Sequence, residues 1–184
     1  LAPVGCDSQR QPVTDSSLPV VVSSIFPVGD LVSSLVDAQV RVEVVLPPGV
    51  SPATFDLTPR QLQTMERASL FVMVGGGLDE WIADLPAVTG GRVPVLRITE
   101  GLDLLASEEP RDPAHAEHGH DHGSGNPHIW LDPILVRDHV VPALATALGM
   151  AIPERAGEVE QRSKALADSL TNLDLERTWS RGES

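Results

Sequence analysis

The chain has 184 residues, 41% of them apolar, a mean hydropathy near zero and a formal net charge of −13 at pH 7. That length allows one domain, or one domain with part of another. The acidic balance excludes a nucleic-acid binder, which needs a basic face, and no uninterrupted apolar run approaches the ~18–20 residues of a membrane helix. The charge suits a protein that meets cations and equally suits plain solubility. Aromatic residues are few, so Val, Leu, Ile and Ala must fill the core.

Taken in chain order, Leu1 to Cys6 resembles the end of a bacterial lipoprotein signal, with small residues before a thiol that would take the lipid. Pro3 stands where Leu is expected. The alternative is an unpaired Cys in a disordered tail, and a single cysteine excludes an internal disulfide. Residues 1–18 are read as signal remnant and flexible tether, Ser-, Gln- and Pro-rich without periodicity. Val20 to Ile25 is a β-branched run that predicts a buried strand. Pro27 opens a helix to about Asp37, with Leu31, Leu35 and Val36 on one face. Val40 to Leu46 predicts a second strand, stopped by Pro47-Pro48-Gly49.

Thr58-Pro59-Arg60-Gln61 has the form of a capping box with Pro at the first helical position, predicting a helix to about Ala68. Leu70 to Val74 is a third strand, ended by Gly75-Gly76-Gly77, and a short helix carries Trp81. Val93 to Ile98 is a fourth strand. The alternation predicts an α/β fold, a four-stranded mainly parallel sheet flanked by helices, over residues 19–150. Residues 101–127 form a polar loop, His-rich over 112–126. Asp132-Pro133 starts a helix to about Gly149 that Pro142 should kink or split. A long linking helix over 151–178 follows, roughly 35 Å long, with Val159, Leu166, Leu170 and Leu173 as its apolar stripe. Residues 179–184 are read as a polar, disordered end.

Four of the six histidines lie in the loop: His115, His118, His120 and His122, with Glu117 and Asp121 between them. Neutral imidazole suits Zn, Cu and Ni, and in an extended segment His118, His120 and His122 project to one side. The cluster reads as a chelating segment rather than a polar linker. Its affinity should be modest, because a flexible loop loses entropy on binding. Binding should weaken in mild acid, as imidazole protonates. His128, in Asn126-Pro127-His128-Ile129-Trp130-Leu131-Asp132-Pro133, taken alone reads as a satisfied core histidine. Asp132 reads as a helix N-cap and His139 as surface. The sequence contains no HExxH, GxSxG or P-loop, and Gly75 to Gly77 reads as a tight turn, so no enzyme is predicted.

These segments together resemble the zinc- and manganese-binding solute-binding proteins of ABC importers, the ZnuA/TroA-like group. The match is carried by Val21 to Pro27, by Leu46-Pro47-Pro48-Gly49-Val50-Ser51-Pro52-Ala53-Thr54-Phe55-Asp56-Leu57-Thr58-Pro59, by the His-rich acidic loop and by Asn126 to Pro133, over residues 19 to about 175. The resemblance implies one of two α/β lobes joined by a long helix, with metal held between the lobes and two ligands from each. It makes His128 a metal ligand and the loop histidines an auxiliary capture or sensing segment. Ala53 stands at the first ligand position, where a methyl group cannot coordinate, and Asp56 is a candidate substitute. The second lobe is expected to be absent. One His alone gives only a few kcal/mol of the ~10–16 kcal/mol of a full zinc site, so cleft binding should be weak.

The expected function is therefore extracytoplasmic delivery of Zn2+, or alternatively Mn2+, to an ABC importer permease. The expected protein is a monomer in the cell envelope, lipid-anchored at Cys6. The alternative is an exported scaffold derived from this family that no longer holds metal tightly.

Overall fold

The structure is a computed structural model and describes residues 18–52, 55–82, 85, 89–105 and 125–181. Four strands, β1 (Val20–Ser23), β2 (Arg41–Val44), β3 (Leu70–Met73) and β4 (Val95–Arg97), form one sheet in the order β2-β1-β3-β4. Every pairing is parallel, and parallel strands need covered crossovers on both faces. Alternation does the sorting. Val21, Leu70, Val72, Val74 and Ile98 point into one apolar layer, and Val20, Val22, Phe71 and Met73 into the other.

The first layer packs on α1 (Phe26–Leu35), α3 (Pro133–Ala151) and α4 (Ala156–Arg181). α1 buries Val28, Val32 and Leu35; of the predicted face, Leu35 and Val36 are buried, Val36 just beyond the helix in extended backbone, and Leu31 is partly covered. The opposite layer packs on α2 (Pro59–Glu66) and the 3-10 turn Glu80–Ile82. The Thr58 capping box forms as predicted, with the Thr58 hydroxyl accepting the Gln61 N–H and Gln61 accepting the Thr58 N–H at 2.9 Å.

α3 is not kinked at one residue. Residues Pro133–Leu135 are α-helical, Val136–Val140 widen into a π-turn, and Val141–Ala151 return to α. Pro142 offers no N–H and its ring crowds the carbonyl four residues back. The Val141 N–H reaches five residues back to Val136 instead, so the distortion is taken up as a wide turn. By length and mean hydropathy α3 is apolar enough to cross a membrane, which a search for uninterrupted runs misses because Arg137, Asp138 and His139 break the run. Its Val136, Val140, Val141, Leu144 and Leu148 are buried in the first layer. His139 is half-buried here rather than fully on the surface.

After a 3-10 turn at Pro153–Arg155, α4 runs 26 residues, or about 39 Å. Val159 is buried and Leu166 and Leu170 pack on the core, but Leu173 is 46% exposed. The predicted stripe therefore loses its cover at Leu173.

Candidate metal centre

The C-terminal ends of parallel strands are where α/β sheets gather ligands, and the His128 segment lies there. β3 runs through Val74 into Gly75-Gly76-Gly77, with φ of 78°, 62° and 88°, a region that side chains disfavour. Gly76 faces Pro127 and Leu104: a Cβ built on it would lie 3.3 Å from the Pro127 Cβ and 3.0 Å from the Leu104 Cδ1. The residues on either side of the His-rich loop are joined, with the Asn126 N–H donating to the Leu105 carbonyl at 2.7 Å. His128 is thereby carried on the rim of the sheet, directly before the 3-10 turn Ile129–Leu131 and α3.

His128 is exposed, while Ile129 beside it is buried. This corrects the core-histidine reading: the apolar neighbours anchor the backbone and leave the ring outside. The Asn126 Oδ1 accepts the His128 backbone N–H at 3.1 Å and contacts the ring Nδ1 at 2.7 Å. A backbone N–H can only donate, so the atom it meets is the amide oxygen, and Nδ1 must carry its proton to donate to the same atom. In the neutral ring the lone pair is then on Nε2. Fixing the tautomer through the other ring nitrogen is the usual arrangement around a metal-binding imidazole. The ring is also steadied by Trp130, with centroids 5.0 Å apart at a tilt of 53°.

A cavity of about 150 Å³ opens beside it, lined by Leu102, Asp103, Leu104, Asn126, His128 and Asp132 among others. Asp132 is committed as a cap, its Oδ1 accepting from the Ile134 N–H at 2.8 Å and the Leu135 N–H at 3.3 Å. Among the described residues no group of three or more His, Cys, Asp or Glu is placed to hold a metal ion. His115, His118, His120, His122, Cys6 and Ala53 lie outside the described residues, and Asp56 is exposed.

Two contributors escaped sequence reasoning. Asn126 stood in the quoted motif without a role, although an Asn two residues before the His has the spacing of a local side-chain-to-backbone turn. Asp79 had no signal beyond following the glycines. It is fully buried, its two carboxylate oxygens accepting the N–H groups of Val74 at 2.7 Å and Gly75 at 2.8 Å. Lost hydration pushes its carboxyl up from the usual value, opposed by the Ser24 hydroxyl and these amides.

The comparisons place this parallel α/β lobe in a family. The sequence profile of the family described as zinc-uptake complex component A, periplasmic, matches residues 21–178, and the chain belongs to that family. It is 29% identical over 171 residues to the high-affinity zinc uptake system protein ZnuA of Yersinia pestis, covering 81% of this chain and 49% of that one. It is 25% identical over 174 residues to the zinc-binding lipoprotein AdcA of Streptococcus pneumoniae, covering 93% and 34%. The crystal structure of Zn(II)-bound AdcA from Streptococcus pneumoniae has the same fold, with a TM-score of 0.71 at 19% identity over 86% of this chain and 32% of that one. The chain thus spans half or less of the length of these relatives.

Proposed function

We propose that this chain forms one wall of a divalent-cation site outside the cytoplasm and takes part in delivering zinc to an ABC importer. The cation is the cargo. The single observation that carries this reading is the exposed His128 ring with its Nδ1 2.7 Å from the Asn126 Oδ1, an arrangement that in the neutral ring leaves Nε2 as the nitrogen able to bind. The remaining ligands of a closed site would come from residues outside those described. Imidazole favours zinc over manganese, and two relatives are zinc-uptake or zinc-binding proteins by name. His115, His118, His120 and His122 would gather further ions beside the site. A lipid on Cys6 would hold the protein at the membrane near the permease, and the role is one of transport rather than catalysis.

A second reading, an exported scaffold that no longer holds metal tightly, is favoured by Ala53 at the first ligand position and by the absence of a multi-ligand cluster among the described residues. Calorimetric titration with zinc separates the two. Deleting residues 114–123 should abolish most of a weak, multi-ion uptake, and His128→Ala should remove what persists in the deletion variant. No zinc heat in the intact chain, with equal thermal stability with and without zinc, would establish the scaffold instead.

A further inference from the structure

Asp79 is a carboxylate taken wholly out of water, with no ion-pair partner among the described residues. Desolvating a carboxylate is costly, and a neutral residue would fill the space without that cost. What a carboxylate adds is two acceptor oxygens on one planar group. One oxygen takes the Val74 N–H and the other the Gly75 N–H. The carbonyl of Val74 is held from the far side, accepting the Thr99 hydroxyl at 2.7 Å and the Thr99 N–H at 3.1 Å. The peptide at the end of β3 is thus clamped through both its polar edges. The next residue but one, Gly76, lies so near Pro127 and Leu104 that a Cβ added to it would meet them at 3.3 and 3.0 Å, and Pro127 is bonded to His128.

From this relay we propose that Asp79 is a positioning residue for the metal site: acting through the Gly75–Gly77 turn and Pro127, it holds His128 in the place and tautomer that leave Nε2 free. The proposal rests on His128 as the metal-facing group. Asn at position 79 keeps the shape but offers one acceptor and turns an NH2 group on the second N–H. The turn then shifts, Pro127 follows, and the His128 ring leaves the Asn126 oxygen.

The test is made on the full metal-free chain, labelled with 15N on histidine. In the parent chain the His128 ring signals should be those of a protonated Nδ1 and an unprotonated Nε2. In Asp79→Asn the two should move toward each other as the preference is lost, while core methyl signals of Val21 and Leu144 stay in place. A folded Asp79→Asn chain with unchanged His128 ring signals would overturn the proposal. If Asp79→Asn does not fold, Thr99→Val removes the hydroxyl that holds the carbonyl of the same clamped peptide, without adding a group near Pro127. Movement of the His128 signals supports the relay, and unmoved signals overturn it. Because no metal is present, failure of the chain to bind zinc would sink the proposed function and leave this result standing, and the converse also holds.

Discussion

Asn126 and His128 form the smallest unit of the account. The amide oxygen that accepts both the backbone and the ring N–H of His128 decides which nitrogen can bind a cation. Removing such an orienting partner typically costs a metal site roughly 10- to 100-fold in affinity. Asn126→Ala should therefore weaken zinc binding to that extent in a competition titration without changing the fold, and unchanged affinity would contradict the role. Asp79 supplies a pH prediction. Its folded carboxyl is raised above the usual 3.8 by burial, so the folded chain binds this proton more tightly than the unfolded chain. The stability linked to it is fully present below the ordinary carboxyl range and is lost as pH rises through the raised folded value. Relative to Asp79→Asn, the parent chain should gain stability as pH falls through that window, read by denaturant unfolding at several pH values; a pH-independent difference would contradict the linkage. At this scale the sequence marks the His but not its partners. Whether a His faces core or solvent depends on which neighbours anchor the backbone, and Asp79 looks like any acid after a turn until Ser24 and Val74 close over it.

Elements built from local rules were legible. The Thr58 capping box needs only residues 58 to 61, and it forms. Thr58→Ala should cost about 1 kcal/mol in urea unfolding, and a neutral change would mean the cap is not needed to hold α2. The π-turn was not legible. Pro142 announces a distortion, but whether a helix bends or widens depends on what its two ends are fixed to. Here Asp132 caps one end at the sheet rim, and Leu144 and Leu148 hold the other in the core. Leu173 teaches the same lesson, since periodicity shows which residues share a side of a helix and not how much of that side is covered.

For the whole molecule, the β-α alternation specified a parallel sheet, and the sheet is fully parallel. The order β2-β1-β3-β4 places the glycine turn after β3 beside the return of the chain at Pro127. Segments more than fifty residues apart in sequence thus meet at one rim, which no local pattern reveals. The layer beneath is continuous from β1 through α3 to α4, with Leu144 fully buried in it. Leu144→Ala should cost about 2–5 kcal/mol in equilibrium unfolding, and a loss below ~1 kcal/mol would show that α3 is not part of the cooperative core.

The central claim is that a cation outside the cytoplasm meets the free Nε2 of His128. It is tested most directly by titrating zinc into the full chain labelled with 15N on histidine and following that ring. The account predicts that the Nε2 signal moves with zinc while Nδ1 keeps its proton toward Asn126. A His128 ring unchanged at saturating zinc, or one that responds through Nδ1, would contradict it.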